Sequence, residues 1–155
     1  MVRAISNNDS TAGNRAAFTP SVATKMLPLV RLIVADMMRL SDSIDVHRER
    51  LREIDELPET IDQPDYRDEL SDIRGSLVDD ELRLEACLSE LSALGLQAHV
   101  PFDGSVDFPA VMNRRRVRLC WHPGDAQVEH WHEVGQSKDQ RQKIDPLKFG
   151  AESLN

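Results

Sequence analysis

Apolar residues recur at alternating spacings of three and four along two long segments of this chain. In the first segment they are Val30, Ile33, Met37, Leu40, Ile44, Leu51 and Ile54. In the second segment they are Leu70, Ile73, Leu77, Leu84, Cys87, Leu91 and Leu94. This spacing places each set on one stripe of a helix. It predicts two long amphipathic helices with a coiled-coil-like seam.

Local signals set the ends of these helices. Thr19-Pro20 is typical of a helix start, and Gly95 is typical of a helix stop. Pro28 removes a backbone hydrogen bond inside the first pattern, so we expect a kink or a break between residues 24 and 28. A short connector between Pro58 and Pro64 predicts an antiparallel helical hairpin, roughly 40 Å long or more.

After the second helix the hydrophobic period changes from that of a helix to that of a strand. Leu96 to Val100 predicts a short strand, and Gly104 to Pro109 a turn with a short extended piece. Residues Arg116 to Trp121 and Gln127 to Glu133 alternate around the turn-forming Pro123-Gly124-Asp125, which indicates a β-hairpin. We therefore predict an α+β fold, in which a long two-helix hairpin precedes a small antiparallel sheet of three or four strands.

The domain organisation follows from where the patterned segments begin and end. Residues 1–16 are small and polar, and we predict that they are disordered. Residues 17–134 form a single α+β domain, and residues 135–155 form a polar, loosely ordered tail. A chain of 155 residues is long enough for one domain with a hydrophobic core.

Charge and cysteine content narrow the class of partners. The net charge is −8, from 19 basic and 27 acidic residues, which disfavours binding to nucleic acids and to anionic membranes.

No apolar run approaches the roughly 18 residues of a membrane span, and the first residues lack the apolar core of a signal peptide. The two cysteines, Cys87 and Cys120, form no disulfide framework. We therefore expect a cytoplasmic protein.

Several short motifs resemble those of a known family. They are Phe18-Thr19-Pro20, Leu27-Pro28-Leu29, Leu91 to Gly95, Gly104 to Ala110, Leu119-Cys120-Trp121 with Gly124, and Trp131-His132. Over about residues 18 to 134 the chain resembles the prokaryotic "domain of unknown function 2203" proteins. The resemblance implies a small bacterial protein of unestablished activity. The chain departs from the family pattern at His122 and His130, and in the polar segment from Gln136 to Arg141.

The predicted β-hairpin concentrates the chemically active side chains. A three-residue turn centred on Asp125 places Cys120 opposite His130 and Arg118 opposite His132. Because side chains alternate between the faces of a strand, the core face carries Val117, Leu119, Trp121 and Trp131. The other face carries Cys120, His122, His130 and His132.

This second face allows a metal site. Zinc prefers tetrahedral sulfur and nitrogen ligands at about 2.0–2.3 Å. Cys120, His122, His130 and His132 supply such ligands, and Asp107 or Glu133 could complete the shell. No Cys-x-x-Cys or His-x-x-x-His spacing supports the site. The simpler interpretation, which we favour, is that Cys120 is a small buried residue and the histidines are half-exposed strand residues.

Other ligand-binding candidates have structural alternatives. Trp121 and Trp131 could form the floor of an apolar pocket, although core packing is the more frequent role of tryptophan in a chain poor in aromatic residues. Arg116 and Arg118 belong to a local basic patch that is either a solvated strand entry or a site for an anionic ligand or acidic partner.

The seam of the helical hairpin carries one polar pair. His47 and Asp80 occupy matching positions near the middle of the two stripes. They could form part of a metal site with Glu81 and Glu85, but a polar break that fixes register and oligomeric state is the favoured interpretation. A two-helix hairpin also leaves apolar surface uncovered, so we predict a homodimer with a four-helix arrangement.

No nucleophile motif, phosphate-binding glycine loop or nucleotide fingerprint occurs in the sequence. The first functional hypothesis is therefore a non-enzymatic interaction or scaffold module that self-associates and offers a surface to a protein partner. The second is a metal-binding protein with a zinc-like ion on the β-hairpin. A third is a hydrolase that uses this metal to activate water.

Overall fold

The computed structural model describes residues 17–57 and 63–145. Two helices, α1 (Pro20–Asp55) and α2 (Pro64–Ala93), precede a five-stranded sheet. The strands are β1 (Gln97–Ala98), β2 (Val106–Met112), β3 (Arg115–Trp121), β4 (His130–Glu133) and β5 (Gln142–Lys143). The predicted α+β class and order of elements are confirmed, with five strands in place of three or four.

Helix α1 begins where the sequence predicts, because the Thr19 hydroxyl accepts a hydrogen bond from the backbone N–H of Val22 at 3.2 Å. It continues through Pro28 as one helix, so the predicted break does not occur. Leu27 and Val30, on either side of the proline, are both buried in the core. Their packing offsets the lost backbone bond and holds the two turns together.

Helix α2 ends in a Schellman motif. Gly95 adopts a positive φ of 83°. Its N–H donates to the Ser92 carbonyl, and the N–H of Leu96 donates to the Leu91 carbonyl, both at 2.9 Å. Leu91 and Leu96 are both buried, so the helix stop also directs the chain into the sheet.

The two helices pack as an antiparallel hairpin. Arg50 pairs with Glu69 at 2.8 Å, whereas the earlier Arg48 pairs with the later Glu81 at 2.9 Å. The later residue of α1 thus pairs with the earlier residue of α2, which shows that the two helices are antiparallel. The predicted connector between Pro58 and Pro64 lies mostly outside the described residues.

The sheet is antiparallel, with its strands in chain order from β1 to β5. The predicted register of β3 and β4 is confirmed, since Cys120 pairs with His130 and Arg118 with His132. The predicted three-residue turn is wrong, because β3 ends at Trp121 and β4 begins only at His130. The segment between them packs on α1, where the N–H of Val128 donates to the Thr24 hydroxyl at 3.1 Å.

One face of the sheet packs on the helices and forms the core. Both tryptophans point into it, with Trp121 1% and Trp131 7% exposed. The core side chains of the sheet are Val106, Phe108, Ala110, Met112, Val117, Leu119, Trp121 and Trp131. They meet a stripe of α1 that comprises Ala23, Leu27, Val30, Val34 and Met37. We call the opposite side of the sheet the outer face. Within the described chain, neither helix has an apolar stretch suited to crossing a membrane.

The chain beyond Gly135 differs from the predicted loose tail. Residues Lys138–Gln140 form a 3-10 turn, and β5 then pairs with β4. The N–H of Ile144 also donates to the Glu129 carbonyl at 2.7 Å. Residues 146–155 of the predicted tail, and residues 1–16 at the other end, lie outside the described residues.

Candidate metal centre

Four ligand-capable side chains converge on the outer face of the sheet. They come from consecutive segments: the residue that follows β1, and then β2, β3 and β4. The four are His99, Asp107, Cys120 and His132, which we call the four-residue cluster. Each contributes one ligand atom, and these atoms all lie within 4.8 Å of one another.

The contacts within the cluster involve the same few atoms. The Nε2 atom of His99 lies 2.6 Å from Oδ1 of Asp107, and Nε2 of His132 lies 3.0 Å from that same oxygen. The Cys120 Sγ atom lies 3.8 Å from Nε2 of His99. In a tetrahedral shell with metal–ligand bonds of about 2.0–2.3 Å, neighbouring ligand atoms are roughly 3.3–3.8 Å apart. The two contacts of Asp107 are shorter than this range, and the distance between Cys120 and His99 lies at its upper end.

The orientation of His132 is set by the backbone. Its Nδ1–H donates to the Glu133 carbonyl at 2.8 Å, which directs Nε2 towards Asp107. A hydrogen bond of this kind is the usual outer partner of a metal-ligating histidine. The pKa of His132 is raised to about 10, first by the hydrogen bond to Asp107 and next by Cys120, against the effect of burial. The pocket therefore strongly favours positive charge at this position.

Most of the cluster is buried, although neither described helix packs on this face. Cys120 is 0% and His132 1% exposed, and Asp107 is also buried. The loop between β1 and β2 and the segment after β4 approach each other here, since Lys138 Nζ lies 2.5 Å from Oδ2 of Asp103. Three of the four side chains are thus buried, and the fourth, His99, is partly exposed.

Part of the predicted ligand set belongs to this cluster. Cys120 and His132 are in it, together with Asp107, which we considered as a completing ligand. Glu133, the other candidate for that position, instead pairs with Arg115 at 2.8 Å.

The other two predicted ligands lie outside the cluster. The Nδ1 atom of His130 is 4.0 Å from Oδ2 of Asp125, so this ring faces the segment between β3 and β4. His122 lies beyond the end of β3, and its Nδ1 atom accepts a hydrogen bond from the Gly124 N–H at 3.5 Å. Pairing opposite Cys120 is thus not sufficient for His130 to join the cluster, and His122 falls in a turn.

His99 was not among the predicted ligands. Those ligands lay mainly on the C-terminal hairpin and in the helical seam, whereas His99 joins the cluster because Gln97 of β1 pairs with Asp107 of β2. The signal was available in part: His99 lies at the end of the predicted strand Leu96 to Val100, one residue after the half-buried Ala98. Only the pairing partner of that strand was unknown.

The remaining candidates take structural positions. Trp121 packs in the core, and its indole N–H donates to the Asp125 carbonyl at 3.0 Å. Trp131 packs in the same core and does not line the outer face. Arg116 is exposed opposite Val111 in β2.

Arg118 is half-buried and lies between two paired strands, opposite Pro109 of β2 on one side and His132 of β4 on the other. It is therefore the basic residue of the predicted patch that lies next to the four-residue cluster.

The helical seam contains the predicted polar pair. Nδ1 of His47 lies 3.5 Å from Oδ2 of Asp80, and the Ser43 hydroxyl donates to the same oxygen at 2.6 Å. Glu81, a candidate ligand for a metal site here, is paired with Arg48. These contacts tie the two helices together at one register.

Comparison with known proteins agrees with the motifs in the sequence. A family model described as "Uncharacterized conserved protein (DUF2203)" matches residues 16–144, and the chain belongs to this family. The comparisons with curated proteins and with solved structures gave no match.

Proposed function

We propose that this member of the DUF2203 family is a metal-binding protein that holds one zinc-like ion within the four-residue cluster. The observation that carries the proposal is the convergence of two imidazole nitrogens, one thiol and one carboxylate oxygen within 4.8 Å. Burial of Asp107, Cys120 and His132 supports it, because polar groups taken out of water require compensating partners.

The donor set favours zinc over harder cations. A thiolate and two imidazoles are ligands for Zn²⁺ and related transition metals, whereas Mg²⁺ and Ca²⁺ take mainly oxygen ligands. Asp107 adds one carboxylate and completes four ligands. The ion would link three adjacent strands and the residue after β1, and so would stabilise the sheet directly.

A catalytic Cys–His–Asp relay is the main chemical alternative, and the geometry argues against it. In such a relay the imidazole contacts the thiol through one nitrogen and the carboxylate through the other. Here Nε2 of His99 faces both Oδ1 of Asp107 and Sγ of Cys120. Cys120 also has no exposed surface from which to attack a substrate. Atoms that face one point suit a shared ion better than a proton relay.

The same geometry favours a structural ion over a hydrolytic one. Catalytic zinc sites keep a position open for water, whereas structural sites are closed by four protein ligands. The cluster supplies four ligands in a largely buried site, so the proposed ion has no free position for a substrate.

Elemental analysis of protein purified without a histidine tag tests the proposal. We expect about one zinc ion per chain. Cys120→Ser and His99→Ala should abolish binding, whereas His130→Ala should retain it, although His130 is the strand partner of Cys120. A metal-free wild-type protein, or equal loss of zinc in the His130 variant, would refute the assignment.

A second proposal concerns the helices, which we infer to form a homodimer. Among the described residues of α2, only Leu70 and Leu91 are buried, while Val78 and Leu82 are 54% and 59% exposed. On α1, Val46 is 66% exposed. A second copy of the hairpin could cover this apolar surface and produce a four-helix arrangement.

Size-exclusion chromatography with light scattering tests self-association. A dimer of twice 17.5 kDa is expected, and Leu82→Glu should convert it to a monomer. A monomeric wild-type protein across the micromolar range would refute the proposal.

A further inference from the structure

We propose that residues 137–143 form a clasp that closes the four-residue cluster and must open before an ion can enter or leave. The role in ion exchange rests on the proposed metal site. The covering of Cys120 is independent of any metal and can be tested separately.

The first argument is burial on a face that has no helix. Cys120 and His132 point away from α1 and α2, yet they are 0% and 1% exposed. Their cover must therefore come from other parts of the chain. Within the described residues, the loop between β1 and β2 and the segment after Gly135 are placed to provide it.

The second argument is the set of contacts that the clasp makes. Arg141 donates to both carboxylate oxygens of Asp125, at 2.6 and 3.3 Å. Lys138 pairs with Asp103 at 2.5 Å. Asp125 lies in the segment between β3 and β4, and Asp103 in the loop that follows His99. The clasp thus holds both segments that adjoin the cluster.

The path of the clasp places it over the outer face. β5 lies at one edge of the sheet and β1 at the other. Adjacent strands are about 4.8 Å apart, so β4 and β1 are separated by roughly 14 Å. A segment that leaves β4, contacts Asp103 in the β1–β2 loop and returns to pair as β5 therefore extends over the outer face towards that loop.

The clasp is also built to move as a unit. Its turn is closed by an internal capping box between Ser137 and Gln140. Gly135, just before it, has a positive φ of 89°, and a β-carbon added there would meet no atom within 4 Å. Only two residues of β5 pair with β4. Two ion pairs and a two-residue ladder are few contacts, which is typical of a segment that opens without global unfolding.

Thiol reactivity in the metal-free protein tests the covering directly. In a Cys87→Ser background, Cys120 is the one remaining cysteine, and its reaction with 5,5′-dithiobis(2-nitrobenzoate) forms a mixed disulfide and releases the coloured thiolate. We expect Arg141→Ala and Lys138→Ala each to accelerate this reaction about tenfold, because each removes one charge-assisted contact of the clasp. Arg114→Ala, at the exposed β2–β3 turn, is the matched control and should leave the rate unchanged.

Zinc release to an excess of chelator tests the role in exchange. The same two variants should still bind one ion but lose it about tenfold faster than the wild-type protein. Unchanged thiol reactivity in both variants would overturn the clasp, whether or not zinc binds. Faster thiol reaction with unchanged zinc release would overturn its role in exchange. A wild-type protein without zinc would refute the metal site and that role together, while the thiol rates would still decide whether the clasp covers Cys120. Asp103→Asn provides an independent variant if Arg141→Ala does not fold.

Discussion

Replacement of Gly104 by alanine should destabilise the protein strongly, because three parts of the molecule meet at this residue. Gly104 has a positive φ of 92°, and an added β-carbon would lie 2.7 Å from Cγ of Pro123 and 3.1 Å from Sδ of Met38. Pro123 belongs to the segment after β3, and Met38 to α1. The glycine therefore allows the loop that covers the cluster to approach both.

The expected loss combines two costs and one gain. A non-glycine residue at this φ costs roughly 1–3 kcal/mol. The forced overlap with Pro123 and Met38 costs about 1–3 kcal/mol. Alanine also lowers the conformational entropy of the unfolded chain, which stabilises the folded protein by about 0.4–1 kcal/mol. We therefore expect Gly104→Ala to lower the free energy of unfolding by about 1–6 kcal/mol.

Gly75 provides a matched control for the same substitution. It lies in the middle of α2, and nothing lies within 4 Å of its would-be β-carbon. Gly75→Ala should therefore raise the free energy of unfolding by about 0.5–1 kcal/mol. Urea titrations followed by tryptophan fluorescence measure both variants. Changes of the same sign, or a loss below about 0.5 kcal/mol in Gly104→Ala, would refute the packing described around this loop.

Three further predictions follow from the core, the clasp and the β2–β3 turn. Trp121→Ala should cost about 3–5 kcal/mol in urea unfolding, because this ring is 1% exposed; a cost below about 1 kcal/mol would contradict its place in the core. Burial alone would raise the pKa of Asp103, but the hydrogen bonds from Lys138 and Ser105, together with the charge of Lys138, outweigh it and lower that pKa to about 2. The ionised Asp103 carboxylate stabilises the folded protein fully above its unfolded pKa near 4, and this stabilisation is lost as the pH falls through 2. Between pH 5 and pH 2 the free energy of unfolding of the wild-type protein should therefore fall by about 2 kcal/mol more than that of Asp103→Asn. Equal losses of free energy of unfolding in the two proteins would show that the Asp103 carboxylate does not stabilise the fold in this way. Arg114→Gly should stabilise the protein by about 0.5–1 kcal/mol in the same assay, because Asn113 and Arg114 have φ values of 53° and 64° in a two-residue turn that favours Asn-Gly; destabilisation would contradict this backbone geometry.

The parts of the fold that depend on local signals could be predicted from the sequence. Helical periodicity, Thr19-Pro20 and Gly95 located both helices to within a few residues. Strand alternation around the two tryptophans predicted which face of β3 and β4 is buried. These features follow from the immediate neighbours of each residue in the chain.

The features that the sequence reasoning missed depend on contacts between distant residues. Val128 is held by Thr24 of α1, which no turn propensity indicates. β5 is polar and lies at the sheet edge, so it carries no alternating pattern. His99 enters the cluster through the pairing of β1 with β2, and a strand of two residues does not reveal its partner. The sequence therefore predicted Cys120, His132 and, as a candidate completing ligand, Asp107, but not His99.

Cobalt(II) titration of the metal-free protein tests the central claim most directly. A thiolate, two imidazoles and a carboxylate in tetrahedral arrangement should give intense visible d–d bands and a sulfur-to-cobalt charge-transfer band, both saturating at about one equivalent per chain. Cys120→Ser should abolish the charge-transfer band, and His130→Ala should leave the whole spectrum intact. Weak octahedral absorption in the wild-type protein, or a charge-transfer band that survives in Cys120→Ser, would show that these four side chains do not share an ion.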